Sequence, residues 1–304
     1  MANAMNVVPD RWEGRRWLRP LGRAHRTALL IAAADAATRE AFGHPRESVE
    51  VWVDETVRAA RDGLRVGSRF DFVLFAKSES GGGRTLVGAV TLVFDAVYPQ
   101  VATLAYWIEA SNRGRGHATS ACRSVLRLGF DQLGASRVTT AVRAENLASA
   151  RVLARLGFRP SPVDGRFTLT RADLIAGPAC REGETVLTIR SAQRAALQAA
   201  VDRRFVRTVV TRARAAFPRT LAAETMELER VALEALERAR RHALRSDADL
   251  AAFVELALLV SPRFDEHPTV AAALRVAGGA PERRMASVLA AVPADVWSAA
   301  ARPR

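Results

Sequence analysis

The chain has 304 residues, of which 49% are hydrophobic, 6% aromatic and 25% charged; that is enough for roughly two domains with cores of their own, and it excludes wholesale disorder. Lys plus Arg number 45 and Asp plus Glu 32, a formal net charge of +13 that first suggests a nucleic-acid or anionic-membrane partner. The excess is spread rather than striped, with no Arg run longer than two, few aromatics and Lys77 as the single lysine, which argues against nucleic acid.

In chain order, Arg16–Leu21 reads as a first strand ended by Pro20 and Gly22, and residues 24–40 as a helix. Ser48 is an N-cap for a second helix reaching Asp62. Arg69–Lys77 and Thr85–Val93 alternate and form a hairpin around Ser78–Gly83, with Val101–Glu109 as the next strand. A helix over Ala118–Leu133, a strand over Arg137–Arg143, a short helix over Leu147–Leu156 stopped by Gly157, and a strand at Phe167–Thr170 follow. The order predicts an α/β domain over residues 1–177, a mixed sheet with flanking helices, one half antiparallel and one half parallel.

Residues 175–185 are polar, contain Gly and Pro, and place a boundary near Pro178. Residues 186–304 read as an all-α domain. Its helices are a four-residue repeat from Leu197 to Phe217, then Glu224–Leu244, a helix capped by Ser246, Pro268–Ala277 and Pro281–Val292. His242 and His267 lack ligand spacing and read as surface histidines. Cys122 and Cys180 give neither a disulfide framework nor a metal site. Met1–Asp10 lacks the pattern of a secretory signal, and no apolar run approaches about 20 residues, so a cytoplasmic chain with no membrane span is expected.

The chemistry concentrates between residues 101 and 160, where nine Arg stand against Glu109, Asp131 and Glu145, an excess that suits an anionic ligand. Within it, Asn112-Arg113-Gly114-Arg115-Gly116-His117-Ala118 follows a strand and opens a helix. Two glycines let the backbone approach a ligand, amides at a helix start bind phosphate oxygens, and Arg113 and Arg115 add charge. A dinucleotide fingerprint would need Gly where Thr119 stands, and a phosphate-binding P-loop would need Gly-Lys-Ser/Thr. The loop alone is equally compatible with a plain strand-to-helix turn carrying solvated arginines.

Tyr106-Trp107-Ile108-Glu109, then Arg113 to Thr119, then Glu145-Asn146-Leu147-Ala148-Ser149, then Leu156-Gly157-Phe158, occur in this order over about 50 residues. Jointly they resemble the GNAT acyltransferase superfamily, in particular its ribosomal-protein N-terminal acetyltransferase (RimJ/RimL-like) branch, over residues 14–175. The resemblance implies acetyl-CoA as cofactor and an amine acceptor, a protein N-terminus or a small molecule. It places the pyrophosphate on Arg113, Gly114, Arg115, Gly116, His117 and Ala118, and the pantetheine arm against Asn146. It implies Ser149 as the acid serving the departing thiolate, since Leu153 stands where many relatives have tyrosine. The base is left between Glu109, Asp164 and a water. Ser120 and Arg159-Pro160-Ser161-Pro162 depart from the branch's usual Glu and Glu-Gly.

Residues 186–292 resemble small helical proteins encoded beside type VI secretion components in bacteria, which implies docking to a secretion-system or effector protein and no reaction. A catalytically inactive acyl-CoA-binding adaptor acting through that part is the alternative to an active enzyme.

Overall fold

The computed structural model describes residues 16–34, 48–78, 83–161, 166–176, 185–187, 191–276 and 284–301. The chain divides into two compact units, one ending at Val201 and one running over Asp202–Arg304.

The first unit is built on an eight-stranded sheet. Its strands are β1 (Arg16–Pro20), β2 (Arg69–Lys77), β3 (Arg84–Phe94), β4 (Val101–Ile108), β5 (Arg137–Thr140), β6 (Arg159–Pro160), β7 (Phe167–Thr170) and β8 (Thr185–Leu187), in the order β6-β7-β5-β4-β3-β2-β1-β8. Alternating Phe, Val and Leu give β2 to β4 their two buried faces; Phe70, Phe72, Leu74, Leu92 and Leu104 are almost fully enclosed.

Pairing is antiparallel except at β4–β5 and β1–β8. This corrects the expected parallel half: β7 returns antiparallel to β5, so that side of the sheet holds one parallel pair. The strand β8 was not expected either, because three residues in a polar stretch give no alternation to read; it pairs with β1 at the sheet edge.

Helices cover both faces. Helix α1 (Arg26–Ala33) and helix α2 (Val49–Val66), the latter capped by Ser48 Oγ accepting from Val51 N, pack Leu29, Val53 and Val57 with Val73, Leu86 and Ala89. Helix α3 (His117–Asp131) packs on β3 and β4 and buries Cys122, Val125 and Leu126 completely. Helix α4 (Leu147–Leu156) starts at an Asn146 cap and, as its residues suggested, ends at Gly157. A further short helix, α5 (Arg171–Ala176), follows β7.

One detail positions the site. Strand β4 pairs with β5 only over Val101–Thr103, while β4 itself continues to Ile108. Beyond Thr103 the two parallel neighbours part. Glu109 N donates to the Val87 carbonyl at 2.9 Å, on the β3 side. By the alternation of a strand, the amides of Tyr106 and Ile108 point the other way, into the gap that opens toward β5.

Helix α6 (Ser191–Ala216) leads into the second unit, which continues with α7 (Thr225–Arg241), α8 (Asp247–Leu259), α9 (Pro268–Val276), α10 (Arg284–Ala291) and α11 (Ala294–Ala300). The rings of Phe253 and Phe264 meet tilted, with centroids 4.7 Å apart, in a core that includes Val206, Val210, Leu236, Val270 and Met285. Buried Asp249 caps α10, accepting from Met285 N at 2.8 Å. His242 is not a surface histidine. It is half-buried against Phe253, and its Nε2 lies 3.1 Å from buried Asp265, which also accepts from Arg238. No helix among the described residues is long and apolar enough to cross a membrane.

Candidate active site

Asn112, Arg113, Gly114 and the residues from Gly116 to Thr119 form the floor of a cleft of about 390 Å³ at the end of β4. Gly114 (φ +78°) and Gly116 (φ +74°) both take the left-handed backbone conformation that side-chain-bearing residues resist. This double kink turns the chain from the sheet into α3. Gly116 is the N-cap and no side chain caps the helix. The first helical bond runs from Ser120 N to the Gly116 carbonyl, which leaves the amides of His117, Ala118 and Thr119 ahead of it at the positive end of the helix.

The opposite wall is the start of α4. Asn146 caps it through Oδ1, which accepts from Ser149 N at 3.0 Å, so the side-chain NH₂ is what Asn146 offers a ligand. Ser149 lines the cleft, and its carbonyl accepts from Tyr106 Oη at 3.4 Å. Burial pushes the Tyr106 hydroxyl up to about 12, against the lowering effect of the bond to Ser149 and with a smaller push from the Cys122 thiol, so Tyr106 stays a neutral donor. Arg113, Arg151 and Arg155 stand in the lining, and no carboxylate does among the described lining residues. The cleft is therefore polarised for an anion, and it communicates with the gap between β4 and β5 through Tyr106, Trp107 and Ile108.

Residues 15–159 match the family model described as an acetyltransferase (GNAT) domain. These residues carry a GNAT acetyltransferase domain. No curated protein matches the chain in sequence. Solved structures similar to the GNAT domain include Mycobacterium smegmatis RimJ in complex with CoA-disulfide, at 23% identity and a TM-score of 0.43 over 56% of this chain and 90% of that one. Ribosomal-protein-S5-alanine acetyltransferase from Vibrio fischeri is similar at 18% identity and a TM-score of 0.45, over 55% and 98% of the two chains. Spermidine N-acetyltransferase from Vibrio cholerae, in complex with CoA and spermine, is similar at 18% identity and a TM-score of 0.44, over 53% and 98%.

Of the residues singled out in sequence, Arg113, Gly114, Gly116, His117, Ala118, Asn146 and Ser149 meet in the cleft of the GNAT domain. Arg113 folds back so that its Nε donates to the Ile108 carbonyl at 3.1 Å, bracing the loop against β4. Arg115 is not in the lining; its backbone carbonyl accepts from Arg16 Nη2 at 3.0 Å. Glu109 stands outside the lining. Its carboxylate accepts from Ser111 N, from Ser111 Oγ at 2.6 Å and from Asn112 Nδ2, so it caps the one-turn helix Ala110–Asn112 that precedes the loop. Asp164 lies outside the described residues.

Sequence reading missed three contributors. Arg151 and Arg155 sit four residues apart on α4, a spacing that puts them on one face and could have been read. Arg16 reaches the loop from the other end of the domain's sequence, and nothing local signals it.

Proposed function

We propose that the GNAT domain transfers the acetyl group of acetyl-CoA to an amine, with a protein or peptide N-terminus as the first candidate acceptor. The observation that carries this reading is the uncapped helix start behind Gly114 and Gly116, facing a cleft with three arginines that opens onto the parted strands. Amides of the loop and of His117, Ala118 and Thr119 would hold the pyrophosphate, with Arg113, Arg151 and Arg155 supplying positive potential. Tyr106 and Ile108 would present amides to the pantetheine arm and to the polarised carbonyl, which is how a parted strand edge binds an extended ligand. When bound, acetyl-CoA supplies the activated acyl group.

The remaining work is proton transfer and alignment. Ser149, on the wall of the cleft, would give a proton to the departing thiolate. The amine must lose one proton. Glu109 is engaged with Ser111 and Asn112, so water is the acceptor this arrangement favours.

A binding-only adaptor acting through residues 186–304 is a second reading, favoured by the lack of a carboxylate in the described lining. A secretion-system or effector partner for that part rests on sequence resemblance alone. Thiol release from acetyl-CoA, measured over a panel of peptides and small amines, separates the readings. Turnover with at least one amine is expected; saturable binding with no thiol release over the panel would establish the adaptor instead.

A further inference from the structure

Arg16 is the first residue of β1 and is buried, with 9% of its surface exposed. Its Nε donates to His117 Nδ1 at 3.0 Å and its Nη2 to the Arg115 carbonyl at 3.0 Å, across about a hundred residues of sequence. The two contacts fall on either side of Gly116, and a Cβ built on Gly116 would lie 3.9 Å from Arg16 Nη2. A loop with two left-handed glycines has unusual backbone freedom, and its amides converge on a ligand only if that freedom is removed beforehand. His117 can accept this bond only as a neutral ring, and its burial, with the Arg16 and Arg115 cations, holds its pKa below the ordinary value.

We propose that Arg16 is a positioning residue for cofactor binding: its guanidinium clasps the loop on both sides of Gly116, through the Arg115 carbonyl and the His117 ring, and holds the amides where they meet the pyrophosphate. This rests on the acetyl-CoA reading above. Burying a cation at this place also puts a fixed positive charge behind the loop, which a dianionic ligand feels more strongly than it would in water.

The test is CoA affinity by calorimetry on the full chain in the wild type, Arg16→Met, His117→Phe, His117→Asn and the double variant Arg16→Met/His117→Phe, with thermal melting as the check on folding. Hydrogen bonds to a charged group predict a loss of about tenfold or more for Arg16→Met and for His117→Phe. His117→Asn keeps an acceptor near the Nδ1 position and should lose clearly less than His117→Phe. Because both groups act through one clasp, the double variant should bind about as weakly as Arg16→Met alone, not at the product of the two losses. Affinity within about twofold of wild type in both single variants, equal losses for Asn and Phe at 117, or multiplicative losses in the double variant would each overturn the clasp. If Arg16→Met does not fold, the two His117 variants carry the decision. Wild-type protein that does not bind CoA would refute the acetyl-CoA reading itself, and the clasp with it.

Discussion

At the scale of single residues, the proposed site separates groups that would touch a ligand from groups that hold others in place. Ser149 would be of the first kind, since it lines the cleft beside the parted strands. Ser149→Ala should lower kcat by about tenfold or more with little change in KM for acetyl-CoA, because it removes a proton donor and leaves the backbone bond to Asn146 intact. Glu109 belongs to the second kind. Glu109→Gln should cost less than about tenfold in kcat, whereas a general base would cost at least about a hundredfold, and steady-state kinetics tells the two apart. His117 adds a pH dependence. Its folded-state pKa is depressed, mainly by burial, so below about pH 6.5 the unfolded chain takes up a proton that the folded chain resists. Stability is therefore unaffected above that pH and falls as the pH drops toward the folded value. Melting temperatures at pH 7.5 and 5.5 should differ more in the wild type than in His117→Asn.

At the scale of elements, the walls of the cleft depend on how α3 and α4 start and stop. Gly157 ends α4 with φ +91°, and a Cβ there would lie 2.6 Å from the Asp173 carbonyl oxygen. Gly157→Ala combines left-handed strain with a backbone clash and should destabilise the domain by about 2–3 kcal/mol, a drop of several degrees in Tm by thermal melting. Gly157 made the end of α4 legible in sequence to the residue, and the alternation in Arg69–Lys77 did the same for β2, whereas the capping role of Asn146 emerges only in the structure. The loop was legible because its glycines are local signals of backbone shape. Strand β8, the antiparallel return of β7 and the reach of Arg16 were not, because each depends on a partner far along the chain and leaves no periodicity of its own. The surroundings of Glu109 show the same limit. A carboxylate at a strand end is visible in sequence, but its hydrogen bonds to Ser111 and Asn112 are not.

At the scale of the molecule, many of the arginines behind the net charge of +13 face carboxylates, in both units, and a few gather at the cleft. In the helical unit, Arg207, Arg212, Arg230, Arg238 and Arg240 each face a carboxylate, as in Arg240–Asp202 at 2.6 Å. The exposed ones, such as Arg230–Glu227, contribute about 0–1 kcal/mol each, and a charge already facing a carboxylate says little about a partner. In the GNAT domain, Arg113, Arg151 and Arg155 converge on one cleft, and that local field is what a polyanionic cofactor would feel. CoA affinity should weaken by about threefold to tenfold between 0.05 and 0.5 M NaCl as the field is screened, a change that calorimetry at the two salt concentrations reads directly.

Binding of acetyl-CoA on the Gly114–Gly116 loop is tested by titration calorimetry of acetyl-CoA into the full chain and into Gly116→Glu. A glutamate at a left-handed position would strain the loop, set its carboxylate where phosphate belongs and lie within reach of Arg16. One-to-one binding is expected of the wild type and a loss of about a hundredfold or more in the variant. No binding by the wild type, or equal binding by both proteins, would contradict it.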